Sequence, residues 1–315
     1  MLRVDQIIST QWRPTAALGL MVAVAALGCG SQSASGPQVP ASPSAPSTAS
    51  PSPPSPGSPS PPSPASHSLS PASDVSGTIE SGGRDRTYLL HLPKASTRLQ
   101  PTPIVVAFHG WPMTADRMED LTHLSDVADA HGFAVVFPQG YGNSWSVPGG
   151  QPTPAQKAGI DDVAFVRSLL DQIGPEYQLD TSRAVATGIS NGGHLAQTLG
   201  CALADHLVGV VPVAAPLPLT PPSNCAPSRA LSVLEIVGTD DQGTPTFPGT
   251  LAFWARTDKC PSGVANSSLP DTAHDGTTVT IASFMRCLGG TEVTGYLVEG
   301  GGHAWPRSVP PSGGN

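Results

Sequence analysis

Ser190 stands in the stretch "ATGISNGGHLAQ", residues 186–197, flanked by Gly188 and Gly192. A serine hydroxyl becomes a nucleophile only when a base takes its proton and a third group orients that base. The spacing Gly-x-Ser-x-Gly fits a sharp strand-to-helix turn that lifts such a hydroxyl out of the backbone. The same residues also suit a glycine-rich loop with no chemistry, so partners must be sought downstream. Two segments supply them. "LEIVGTDDQGTP" (234–245) runs from an apolar stretch into Asp240 and Asp241, and "YLVEGGGHAWP" (296–306) runs through three glycines into His303. Either acid could instead cap a turn, and His303 is one of nine histidines. Taken together in this order, the three features point to acyl transfer through a serine nucleophile, a histidine base and an aspartate.

Such a constellation needs a scaffold that brings three distant loops to one edge. Short runs rich in β-branched residues alternate with helical patterns, which predicts an α/β fold with a mainly parallel sheet. Strands are expected at 86–93, 102–110, 133–140, 183–189, 207–215, 231–238 and 292–300. Helices are expected at 114–132, capped by Thr114 and stopped by Gly132, at 159–174 with Asp161 and Asp162 in its first turn, and at 191–206. In this order Ser190 lies between a buried strand and an amphipathic helix, and both Asp240–Asp241 and His303 follow strands. Ligand sites of open parallel sheets gather at those carboxyl ends. His194 reads as an ordinary residue of the first turn of the helix.

The first quarter of the chain has a different character. Between Arg13 and Asp74 there is no Asp, Glu, Lys or Arg. "TAALGLMVAVAALGCG" has the length of a secretory hydrophobic region and is short for a bilayer span of ~20 residues. Its end, "AALGC", resembles a bacterial lipobox, which implies that residues 1–28 are a signal peptide and Cys29 is lipidated. Ala26 stands where Leu is usual, so cleavage by an ordinary signal peptidase and an uncleaved anchor are the alternatives. Residues 30–73, with Pro and Ser dominant, have nothing to bury and read as an extended disordered spacer. Residues 74–315 form the folded domain. It carries thirteen Lys and Arg against twenty-two Asp and Glu, with no basic cluster longer than a pair, which argues against a nucleic-acid partner.

"AFHGW", "GISNGG", "VGTDD" and "GGGHAWP", with "FPQGYGNSWS" and "DDVAFVRSLLDQI" between them, resemble the secreted esterases that include polyhydroxybutyrate depolymerases and feruloyl or acetylxylan esterases. The resemblance covers roughly residues 75–307 and implies an α/β-hydrolase fold with helices on both faces of the sheet. It selects Asp241 over Asp240 as the acid and implies an oxyanion hole from the backbone N–H groups of Trp111 and Asn191, with His109 shaping the loop. It implies ester substrates and no cofactor or metal, with membrane contact only through the lipid. Trp145 and Trp305 are candidate substrate walls or else packing residues.

Beyond Cys29 there are four cysteines, and an even number in an exported chain suits disulfides. Nearest-neighbour pairing, Cys201–Cys225 and Cys260–Cys287, is the expectation among three connectivities. A zinc site is disfavoured, because no two cysteines have metal-binding spacing. "PRSVPPSGGN" after His303 cannot be the closing helix usual in this fold, so either the sequence is truncated or the last strand is covered differently. The alternative to an extracellular esterase is a catalytically idle lipoprotein that binds wall polysaccharide or host surfaces.

Overall fold

A computed structural model describes residues 73–93, 101–217, 224–269, 271, 274 and 276–306. The signal segment, Cys29, the Pro/Ser-rich spacer and the tail after residue 306 lie outside the described residues. Ten strands form one sheet: β1 (Ser73–Ser81), β2 (Arg84–Leu92), β3 (Thr102–Phe108), β4 (Ala134–Pro138), β5 (Leu179–Ile189), β6 (Leu207–Val213), β7 (Ser232–Gly238), β8 (Ala265–Leu269), β9 (Thr278–Phe284) and β10 (Val293–Glu299). Their spatial order is β1-β2-β4-β3-β5-β6-β7-β10-β9-β8. The six central strands from β4 to β10 are parallel, and antiparallel strands continue the sheet on both sides. This is the α/β-hydrolase fold that the sequence patterns imply.

The central strands are apolar almost without interruption because helices cover both faces. Every residue of β4 is buried, as are six of seven in β3 and β7. The outer strands differ. β1 alternates between exposed and half-buried positions, and β8 is exposed along its length. With few β-branched or aromatic residues, β1 and β8 carry too weak a period-2 signal to be read from sequence. Hence β1 and β8 were not anticipated; β9 (TVTIASF) was missed although it is rich in β-branched residues.

Six helices are described: α1 (Ala115–Thr122), α2 (Leu124–His131), α3 (Pro154–Lys157), α4 (Asp162–Tyr177), α5 (Asn191–Ala202) and α6 (Phe247–Thr257). The single helix expected over 114–132 is two. Thr114 caps the start and Gly132 the end as expected, but His123 adopts a left-handed conformation (φ 50°, ψ 32°) and breaks the run. The reason lies in the phase of the apolar residues. Ala115 and Met118 are buried in the first half, Leu124 and Ala128 in the second. A spacing of six from Met118 to Leu124 puts them on different faces of one straight helix, and the break returns both to the core. Helix α6 was missed because "FPG" disguises its first turn, where proline is tolerated. It covers the last parallel strand: a Cβ at Gly295 would lie 2.5 Å from both Leu251 and Phe247. That strand is flanked on its outer side by β9.

Disulfides join Cys201 to Cys225 and Cys260 to Cys287, the nearest-neighbour pairing. The first ties the end of α5 to the segment after β6. The second ties the segment after α6 to the one after β9. Among the described residues no helix is long and apolar enough to cross a membrane.

Candidate active site

Five loops that leave parallel strands at their carboxyl ends carry the residues singled out by the sequence. After β5 the chain turns at Ser190, whose backbone (φ 55°, ψ −121°) lies in a region that side chains rarely occupy. Packing holds it there. Ser190 donates its N–H to Val213 O (2.9 Å) and accepts from His194 N (2.9 Å). A Cβ at Gly188 would meet Gly192 C at 2.6 Å and Phe108 O at 2.7 Å, and one at Gly192 would strike Phe108 O and His109 O. Glycine is therefore required on both sides of the serine because neighbouring backbone passes where a side chain would be.

After β7, Asp240 is exposed and Asp241 is 6% exposed. Asp241 Oδ1 accepts from Gly243 N (2.8 Å), and Oδ2 receives the Nδ1 proton of His303 at 2.8 Å. His303 follows β10 and is half-exposed at 52%. The two loops are laced together. Thr239 N–H donates to Val298 O (2.9 Å), Asp240 N–H to Gly301 O (2.8 Å), and Gly300 N–H to Thr239 Oγ1 (2.9 Å). Gly238 lies against the backbone of Gly301 with no room for a Cβ. Asp241 and His303 are thus brought together. Among the described residues no hydrogen bond joins Ser190 Oγ to His303, a contact that is often long before substrate binds.

The fourth and fifth loops follow β3 and β4. Gly110 packs beside Ser190, and Met113 N–H closes a turn onto Gly110 O (2.8 Å). Trp111, at the turn, is 45% exposed. The N–H groups of Trp111 and Asn191 donate to no group among the described residues, and Asn191 opens α5, where the dipole favours negative charge.

The tryptophans expected as substrate walls are buried. Trp145 is at 0% and Trp305 at 3% exposure, so neither ring offers a surface to a ligand. Trp145 packs edge-on against Phe108 and takes part in four hydrogen bonds; Trp305 belongs to the hydrophobic core. Asp162, expected only to complement the dipole of α4, is buried and paired with Arg86 at 2.7 Å. Burial raises its pKa, opposed by the Ser146 N–H and by Arg86. Asp161 takes the capping role, accepting from Ala164 N (2.9 Å).

Three polar residues near the site escaped the sequence reading. His194, set aside as a first-turn residue, lies close enough to His303 and Asp241 to feel both. Burial, reinforced by His303 and opposed by Asp241, lowers its pKa to about 4, so the imidazole is neutral at neutral pH. Glu235, a lone acid inside the apolar run "LSVLEIV", is wholly buried, with Oε1 unpartnered and Oε2 accepting from Gln197 Nε2 (3.3 Å). Gln197 also donates to Ala215 O (2.6 Å) and accepts from Trp254 Nε1 (2.8 Å). Burial raises the Glu235 pKa well above its usual value, with Asp241 adding to the rise. An acid in the middle of a buried strand was the visible signal, unused because it sat outside any motif. No cluster of metal-binding side chains occurs among the described residues.

Residues 86–212 match the family model described as Esterase PHB depolymerase. Over these residues the chain is similar to that family. The chain is similar to the protein described as "Putative esterase NocK" from Nocardia uniformis subsp. tsuyamanensis, at 29% identity over 93% of this chain and 90% of that one. It is 27% identical to feruloyl esterase B of Piromyces equi over 70% of this chain and only 42% of the relative's length. Among solved structures, the feruloyl esterase module of Clostridium thermocellum aligns with TM-score 0.54 at 12% identity, covering 75% of this chain and 83% of that one. The acetyl xylan esterase of Aspergillus awamori aligns with TM-score 0.53 at 15% identity, over 74% and 95%. These structures share the fold. The matched family model and these esterase relatives together make the chain a carboxylic-ester hydrolase.

Proposed function

We propose that the domain hydrolyses esters through Ser190, His303 and Asp241. The observation that carries this reading is the His303 Nδ1–Asp241 Oδ2 bond of 2.8 Å, formed at the same sheet edge as the strained serine turn. Asp241 holds the imidazole so that Nε2 is free to take the Ser190 proton. Ser190 Oγ attacks the ester carbonyl, and the oxyanion is met by the N–H groups of Trp111 and Asn191, each worth about 3 kcal/mol. His303 then protonates the leaving alcohol, and water repeats the sequence on the acyl-enzyme.

The names of its relatives support feruloyl, acetyl or short hydroxyalkanoate esters as the substrate class. Two disulfides favour an oxidising compartment. With "AALGC" they support an extracellular lipoprotein anchored through Cys29 and the spacer.

A fluorophosphonate probe tests the chemistry. Wild type should be labelled and Ser190→Ala should not; an unlabelled wild type, or labelling that persists in the variant, refutes the triad. Hydrolysis of methyl ferulate, p-nitrophenyl acetate and hydroxybutyrate oligomers then ranks the substrates. Membrane fractionation of Cys29→Ser tests the anchor, with release to the medium expected.

A further inference from the structure

The two oxyanion donors belong to different segments, Trp111 to the loop after β3 and Asn191 to the start of α5. Their separation must be fixed for both to reach one oxygen. Trp145, in the loop after β4, is bonded to both segments. Its backbone N–H donates to Asn191 Oδ1 (2.7 Å), and its carbonyl accepts from Asn191 Nδ2 (3.2 Å). Its indole Nε1–H donates to His109 O (2.8 Å), two residues before Trp111. The His109 ring repeats the link. Nε2 accepts from Gly140 N–H (3.0 Å), so Nδ1 carries the proton and donates to Gly110 O (3.0 Å). Burial lowers the His109 pKa to about 4, which keeps that tautomer neutral.

The strut is anchored from behind. Ser146 N–H donates to Asp162 Oδ2 (2.7 Å), and Arg86 Nη2 donates to Asp162 Oδ1 (2.7 Å) and to Gln139 O (3.3 Å). Thr153 Oγ1 adds a bond to Trp145 O (3.0 Å). Neither Trp145 nor Arg86 reaches solvent, so this investment of buried hydrogen bonds serves the interior of the site.

We propose that Trp145 is a positioning residue, joined to the Asn191 side chain, that sets the separation of the two oxyanion donors. The inference rests on the triad reading above. The links lie in series, from His109 through the indole and the Trp145 backbone to the Asn191 amide. Breaking either end frees the same degree of motion.

Trp145→Phe keeps an aromatic ring, smaller than the indole, and removes Nε1–H; Asn191→Ala keeps the backbone donor and removes the amide. Each should lower kcat on p-nitrophenyl acetate about 10–100-fold, a partial loss beside complete removal of a donor, with KM within about two-fold. The fluorophosphonate labelling rate should fall in parallel, since the phosphonyl oxygen uses the same hole. The double variant should be little slower than the slower single one, because the links share one function. A purely structural role would instead lower the unfolding midpoint and leave the kcat of folded protein unchanged. Asn191→Ser, at a half-buried position, keeps the test open if Trp145→Phe does not fold. Rates within about two-fold of wild type in Trp145→Phe and in both Asn191 variants, losses confined to KM, or additive losses in the double variant overturn the proposal. Labelling that is lost in Ser190→Ala yet unchanged in these variants overturns it alone. Labelling that persists in Ser190→Ala overturns the triad and this inference together.

Discussion

Asp240 donates its backbone N–H to the carbonyl of Gly301 at 2.8 Å, so the acid loop and the histidine loop move as one body. Asp240 contributes this link through its backbone while its side chain faces solvent; Asp241, one residue on, turns its carboxylate inward to His303.

The two acids should therefore behave oppositely. Asp241→Asn removes the acceptor that fixes the imidazole tautomer, and kcat should fall about 10³–10⁴-fold. Asp240→Asn keeps its backbone bond and should stay within about two-fold of wild type, exposed substitutions having small effects. Steady-state hydrolysis of a p-nitrophenyl ester compares them. Equal losses in both variants would contradict the geometry.

Gly238 tests the lacing itself. A Cβ there collides with the backbone of Gly301, so Gly238→Ala must push the loops apart. It should lower stability by about 2–3 kcal/mol, as overpacking does, and lower kcat along with it. Gly249, in α6, has open space around its Cβ position. Gly249→Ala should raise stability by about 0.5–1 kcal/mol and leave activity unchanged. Urea unfolding monitored by tryptophan fluorescence measures both.

Glu235 gives the stability a pH dependence of known sign. Its carboxyl has a folded pKa well above the ordinary 4.5, so the folded state binds that proton more tightly than the unfolded state. The stabilisation is whole below pH 4.5 and is lost as pH rises towards the folded pKa, by about 1.4 kcal/mol per pH unit. Glu235→Gln titrates nowhere in this range. The variant should therefore gain in melting temperature over wild type as pH goes from 4.5 to 8. A difference that stays constant with pH would mean that Glu235 is already charged in the fold.

The parts of the molecule legible in sequence are those whose signal is local. Continuous apolar runs identified the central strands, the glycines around Ser190 marked a turn that neighbouring backbone presses upon, and those before His303 marked the turn leading to it. Disulfide pairing followed sequence proximity. What escaped depended on contacts between distant segments. Trp145 reads as an aromatic near the site, and only its bonds to Asn191 and His109 show it to be internal. Asp162 reads as a dipole partner until Arg86, far away in sequence, is placed beside it. His194 reads as a helix residue until the loop of His303 folds over it. The break at His123 was in principle visible, because the apolar phase slips between Met118 and Leu124.

The conformation of Ser190 carries a consequence for the free-energy balance of the whole domain. With φ at 55° and ψ at −121°, the residue sits where only glycine rests without strain, and such strain is of order 1–3 kcal/mol. Ser190→Gly should accordingly yield a sturdier protein with no esterase activity, its melting temperature above that of wild type. The proposed nucleophile is thus a tenant the fold would be more comfortable without, and the packing around Gly188 and Gly192 is what prevents its eviction.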